Sequence, residues 1–168
     1  MDWILSNVAI GNWRDAVDIA ALISEGVSAI LNVRGDEDIS TIKEVNEREK
    51  RYCVENRIAY CYLPIRDYTP ASEEHLINGV AFIEKHTRLG GRVLVHCGAG
   101  LGRSPSIVAA YLVYRGYSSE EAVGLIKMRR RGAFEGNDVV HIPNIKRFQR
   151  RLTDVKLQIE RLIEYEVP

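Results

Sequence analysis

His96 and Cys97 head a short segment, Gly98-Ala99-Gly100-Leu101-Gly102, that closes on Arg103 and Ser104. A thiol and a guanidinium six positions apart, with three glycines between them, can surround a small anion. A free cysteine ionises near about pH 8.5, and a helix N-terminus or a neighbouring arginine lowers this to roughly 3.5–7.5. Cys97 is therefore expected as a thiolate, a nucleophile that needs no separate base. Arg103 carries a permanent charge on a planar fork that matches two oxygens of a phosphate. The glycines let backbone amides come close to a ligand and adopt positive φ where required. The chemistry these parts allow is a phosphoryl group held by Gly98, Ala99, Gly100, Leu101, Gly102 and Arg103 and attacked in line by sulfur. Ser104 is placed to offer its hydroxyl to that sulfur and ease its departure in a second step.

Such a loop works only if regular elements hold both its ends. The apolar run Val93-Leu94-Val95 precedes it and a helix-compatible run, 107–113, follows it. A strand thus stops at the thiol, the chain curls through glycines, and a helix begins, aiming several N–H groups and a helix dipole at one point. Two other glycine-loop chemistries fit less well. The Walker pattern needs Gly-Lys-Ser/Thr, and no lysine stands here. The dinucleotide fingerprint needs an acidic residue at the end of a following strand, whereas helices follow.

Periodicity and turn residues give the remaining elements. A hairpin is expected from 3–5 and 8–10 around Ser6-Asn7, then a helix over 15–24 closed by Gly26 and a strand over 29–32. A charged helix is expected near 40–56 and a strand over 59–62. Ser72 caps a helix whose box partner is His75 rather than Glu, and this helix ends at Gly90-Gly91. The strand 92–96 feeds the loop. Helices are expected over 105–115 and over 119–130, the second capped by Ser118 or Ser119, and a last one starts after Pro143-Asn144. Strands alternating with helices predict an α/β fold, a mostly parallel central sheet of four to five strands flanked by helices.

An ester with a poor leaving group needs a proton donor. Asp36, Glu37 and Asp38 follow one expected strand, and Asp67, within Leu63-Pro64-Ile65-Arg66-Asp67-Tyr68-Thr69-Pro70, follows another. Both loops leave the carboxyl ends of parallel strands, where open α/β sheets bind ligands, so position does not separate them.

His-Cys, five residues, Arg and Ser together resemble the signature loop of the cysteine-dependent protein tyrosine phosphatase superfamily. The Ala99-Gly100 interior and Ser104-Pro105-Ser106 resemble its small dual-specificity branch. The likeness continues through residues 5–33, from Glu120-Glu121-Ala122 to Arg131, and from Pro143-Asn144 to Leu152. By motif order it covers roughly nine-tenths of the chain. The resemblance implies a phosphatase-like fold and a protein phosphatase. Its substrates would be phosphotyrosine and, more slowly, phosphoserine and phosphothreonine, hydrolysed through a cysteinyl-phosphate with no cofactor. It places the general acid on a loop of the Pro-Ile-x-Asp type, hence Asp67. It gives His96 a supporting role and makes Asn144 the candidate for positioning the hydrolytic water. One departure stands out: residues 132–142 are more than such relatives use there, either as an inert loop or as a wall facing the substrate. Other readings are a phosphoinositide or RNA 5′-phosphate phosphatase of the same fold and a phosphate-binding module without catalysis. Lipid-directed relatives tend to carry lysines inside the loop, and this chain has none there. Non-catalytic relatives usually lose the Cys, the Arg or the acid, and all three are present. A sulfurtransferase and an arsenate reductase are more distant options.

Length and composition agree with one domain, 1–168. The chain has 168 residues, 46% apolar and 27% charged, with zero formal net charge. A neutral chain is not built to coat nucleic acid or an anionic membrane. The basic stretch Lys127, Arg129, Arg130, Arg131, Lys146, Arg147, Arg150 and Arg151 reads as a solvated helix face, with an anionic partner near the site as the alternative. Three cysteines without close pairs fit a reducing cytoplasm, and the scattered histidines predict no metal site. Cys53 and Cys61 read as core or helix-surface residues. No apolar run approaches a membrane span, and Met1-Asp2 does not open a signal peptide, so a cytoplasmic protein is expected. Its partner would be a phosphoprotein.

Ile145, Phe148, Leu152, Val155, Ile159 and Leu162 alternate in steps of three and four, a heptad seam on an extended C-terminal helix from about 145. Its second half, which also carries Val167, would reach beyond a domain of this size. It would either fold back over the hairpin near Trp3 or join two copies into a homodimer.

Overall fold

Five apolar runs become strands: β1 (Asp2–Leu5), β2 (Val8–Gly11), β3 (Val27–Arg34), β4 (Ala59–Ile65) and β5 (Arg92–His96). The structure is a computed structural model that describes residues 1–35 and 42–165. The strands lie in the order β1-β2-β5-β3-β4; β1 is antiparallel to β2 and the other pairings are parallel. This is the mostly parallel sheet expected. Pro64 falls in β4, on the sheet edge, where a missing N–H is tolerated. In the centre, Gly11 of β2 and Asn32 of β3 both pair with His96, so three strands end level and open a crevice at their carboxyl ends.

Helices cover both faces. On one face α1 (Trp13–Val17), α2 (Ile19–Ser24) and α3 (Ile42–Glu55) enclose Ala9, Leu22, Ile30, Cys53 and Leu94. On the other, α4 (Glu73–Arg88) and α5 (Arg103–Tyr114) pack on Leu31, Val33 and Val95. α6 (Ser119–Arg129), α7 (Asp138–Arg150) and α8 (Leu152–Tyr165) close around α4 and α5. Ser72 caps α4, and His75 completes the box: Nδ1 lies 3.2 Å from the Ser72 N–H, doing the work usually given to Glu.

Three helical expectations are corrected. The single helix over 15–24 is two, because the Asp18 carboxylate accepts from Ala21 N–H at 3.1 Å and starts a new helix there. The last helix does not begin after Pro143; α7 starts at Asp138 and carries Pro143 inside it. The carbonyl that Pro143 cannot bond belongs to Val139, 85% exposed, so water can serve it. The extended C-terminal helix is broken at Arg151, whose guanidinium grips the Glu73 carboxylate at 2.7 and 2.8 Å. Farther along, Arg88 donates to Glu160 at 3.1 Å, so α8 runs beside α4 in the same direction. Val155 and Ile159 are buried by the protein's own core, and the described part of the tail neither projects nor covers the hairpin. Trp3 is instead covered by Arg92, 3.7 Å above its ring, and donates to Glu25. Val167 lies outside the described residues.

Candidate active site

β5 delivers Cys97 to the end of the central strand, and α5 begins at Arg103 with Gly102 as its cap residue. Gly102 has no side chain to cap α5, which leaves first-turn N–H groups for a ligand. The Cys97 sulfur accepts the Gly100 N–H at 3.2 Å and lies 3.3 Å from the Ser104 hydroxyl. Gly100 has φ +75°, and a Cβ there would collide with the Gly11 carbonyl and with Arg130. Cys97, Gly98, Ala99, Leu101, Gly102 and Arg103 line a cavity of about 600 Å³ together with Asn12, Trp13, Tyr68 and His141. Trp13 N–H donates to the Gly98 carbonyl at 3.2 Å, tying α1 to the loop.

Arg103 is 4% exposed; one nitrogen donates to the Ile65 carbonyl at 3.1 Å and another meets the Asp67 carboxylate at 3.0 Å. The fork is thus fixed by the end of β4 and by the loop that follows it. That loop bends sharply: Tyr68 has φ +56°, unusual for a residue with a side chain, and its N–H donates to Asp67 at 3.1 Å. Asp36, Glu37 and Asp38 lie outside the described residues. Asn144 does not reach the cavity. It lines a separate groove with Glu73 and Arg147, and its amide donates to the Ala71 carbonyl at 2.9 Å. It fastens the Asp67 loop to α7, and that geometry does not place it on a water at Cys97.

Several residues escaped the sequence reading. Arg130, placed there on a solvated face, is 7% exposed. It donates to the carbonyls of Gly100 (2.6 Å), Ala99 (3.1 Å) and Ile10 (3.2 Å) and pairs with Asp2 at 2.7 Å. With the carbonyls turned to Arg130, the loop's opposite edge is left for an anion. Other members of the basic stretch are paired outside: Lys127 with Asp138 and Lys146 with Glu120. Arg130→Ala is expected to leave buried carbonyls without a donor and to lower unfolding stability by about 1–3 kcal/mol. Urea unfolding of the two proteins is the check; equal midpoints and slopes would remove the clamp from the account.

A second buried network supports the loop from the α3 side. Glu49, fully buried, accepts from His96 Nε2 at 2.7 Å and lies 3.8 Å from Arg34. Asn46 joins Asn32 and Arg34 at 3.0 and 2.6 Å, and the Tyr60 hydroxyl accepts from Asn32 at 3.0 Å. Burial, and then the Glu49 charge, push the Cys53 thiol up to about 12. Cys53 also packs in the cluster across the sheet from Cys97, as the core residue expected. Arg34 borders the cavity as well, and its Nε and Nη1 are buried without a hydrogen-bond partner among the described residues. In the sequence, the only signal of this network was polar residues in an otherwise apolar strand.

Comparison with known proteins gives a consistent picture. The family model for the dual specificity phosphatase catalytic domain matches residues 8–150. Human dual specificity protein phosphatase 5 is 35% identical over 94 residues, 55% of this chain and 24% of that protein. The match therefore spans about a quarter of that relative's length. Among solved structures, human DUSP28 superposes with a TM-score of 0.71 at 22% identity, covering 92% of this chain and 99% of that one. PTPMT1 superposes with a TM-score of 0.69 at 22% identity, covering 94% and 98%. At that identity the two structures speak for the fold.

Proposed function

This chain belongs to the dual specificity phosphatase catalytic-domain family, and from that premise we propose that it is a cysteine-dependent protein phosphatase acting through a cysteinyl-phosphate. The observation that carries the reading is the meeting of four groups at one cavity: the Cys97 sulfur, the Ser104 hydroxyl, the Arg103 fork and the Asp67 carboxyl.

A phosphate dianion entering the cavity takes the Arg103 fork and the loop N–H groups with its equatorial oxygens. Its oxygens displace Asp67 from Arg103, and Asp67, in its acid form once off the guanidinium, faces the leaving oxygen. Sulfur forms a bond to phosphorus as the phosphorus–oxygen bond breaks, and Asp67 supplies the proton the departing oxygen takes up. In the second step water attacks phosphorus and gives a proton to Asp67. The electron pair of the sulfur–phosphorus bond returns to Cys97, where the Ser104 O–H steadies it. Such catalysis is mostly positioning and charge stabilisation around a loose transition state.

The preferred substrate in this reading is phosphotyrosine, with phosphoserine and phosphothreonine hydrolysed more slowly. An aryl oxygen is easier to expel, and Trp13 and Tyr68 stand on the walls to meet a ring. Kinetics on matched phosphopeptides test this: kcat/KM is expected to be highest for phosphotyrosine and measurable for the other two. Activity confined to one of the three, or far greater on a lipid headgroup, counts against it.

One observation favours a second reading, a phosphoinositide or an RNA 5′-phosphate as substrate. Arg14 and Arg34 border the cavity beside Arg103, and a second phosphate would find them. The loop positions Gly98, Ala99, Leu101 and Gly102 carry no cation, which leaves protein phosphate the better fit. A homodimer through the C-terminal seam loses its motive because Val155 and Ile159 are already buried within the domain.

A further inference from the structure

Residues 132–142, longer than the sequence resemblance leads one to expect, fold so that His141 enters the wall of the catalytic cavity. It lies in the early turns of α7 and is 3% exposed. Its Nδ1 is buried without a hydrogen-bond partner among the described residues. Its Nε2 is seated over Gly102, so close that a Cβ on Gly102 would collide with it. Gly102 is the residue before Arg103, at the mouth of the anion cradle. In the tautomer that carries its proton on Nδ1, the ring's acceptor is Nε2, the nitrogen over Gly102. Phe134 braces the ring, with centroids 6.3 Å apart.

The chemistry of the group is set by its surroundings. Burial, and then the Arg103 charge, hold the imidazole below its ordinary pKa, with Asp67 opposing. A neutral imidazole has one nitrogen that donates and one that accepts. His141 and Asp67 line the same cavity, so the imidazole shares the site with the acid as well as with the cradle.

We propose that His141 orients the water that hydrolyses the cysteinyl-phosphate, a step that rests on the phosphatase reading above. Water must approach phosphorus from the side opposite sulfur, the side the leaving group has vacated and Asp67 faces. Its oxygen bonds to phosphorus, one of its protons passes to Asp67, and the sulfur–phosphorus electron pair returns to Cys97. The other hydrogen of the water is donated to Nε2 of His141, which neither gains nor loses a proton. The first step has no such water and does not use His141.

Rapid mixing with a chromogenic aryl phosphate separates the two steps, since the burst reports Cys97 phosphorylation and the steady rate reports hydrolysis. In His141→Ala, and in His141→Leu, which keeps the packing against Phe134, the burst rate is expected to stay near that of the wild type. The steady rate is expected to fall about 10- to 100-fold, as for a misplaced reactant. Phosphocysteine should accumulate, visible as an added phosphate by intact-protein mass in acid-quenched samples. His141→Gln, which retains a hydrogen-bonding group, should recover part of the steady rate. Burst and steady rates falling together, neither rate changing, or no build-up of phosphocysteine in whichever variant folds overturns the proposal. Failure of the phosphatase reading is read separately, in the wild type: no turnover, or turnover that survives Cys97→Ser.

Discussion

Cys97→Ser abolishes turnover of an aryl phosphate while binding of phosphate analogues survives; this is the largest effect expected of any single change. The substitution alters one atom at a position only 2% exposed, so the fold has little reason to respond. What it removes is an ionisable sulfur. A serine hydroxyl there would need a base to activate it, and the neighbours recorded at the sulfur are the Ser104 hydroxyl and the Gly100 N–H, neither of them a base. The rate should fall by at least about 10⁴-fold, as when a covalent catalyst loses its nucleophile. The loop amides and Arg103 remain, and they supply the affinity. Titration calorimetry with tungstate, beside a turnover assay, measures both halves. Turnover from a clean Cys97→Ser preparation would sink the covalent mechanism.

Asp67→Asn is expected to come second, with a loss of about 10²–10⁴-fold for an alkyl phosphate and much less for an aryl phosphate with a good leaving group. The amide keeps the shape of the carboxyl but cannot supply a proton. The alkaline fall of kcat/KM should flatten for the same reason. Phosphate affinity should hold or improve, because Arg103 loses the carboxylate that competes for its fork at 3.0 Å. A leaving-group series on Asp67→Asn and Asp36→Asn decides between the two acidic segments. Should the dependence appear in Asp36→Asn alone, the acid belongs to the other loop.

The loop was legible in the chain because its parts are contiguous: sulfur, glycines and guanidinium are written in order, and a strand and a helix flank them. The sheet was legible for a similar reason, since each strand is a short apolar run bounded by turn residues. The choice of Asp67 came only through resemblance, because two acidic loops leave equivalent strand ends and spacing treats them alike. Arg130, Glu49, Arg34 and His141 were hidden because their roles depend on partners far along the chain. Arg130 sits in a run of cations whose other members face water or pair at the surface, and nothing local marks the one that turns inward. Pro143 misled because proline favours a first turn, whereas α7 places it one turn later, where solvent can satisfy the carbonyl it leaves. The heptad spacing from Ile145 to Leu162 was real, but its two ends serve two helices divided at Arg151, and different surfaces cover them: α5 mainly covers the α7 end and α4 covers α8.

The Arg130 clamp also sets an order of events. It ties carbonyls 30 and 31 positions back to Asp2, 128 positions away, and to Ile10, 120 positions away. Contacts of such separation close late in folding, after local helices and neighbouring strands have formed. On the ribosome, Cys97 and Arg103 emerge before Arg130 does, so the nascent chain holds its nucleophile before it holds the brace that shapes the cradle. Catalytic competence then arrives when α6 docks beside β1, as one of the closing acts of assembly. Activity in such a protein is a report that the whole chain has come home, and the reactive sulfur stays idle until it has.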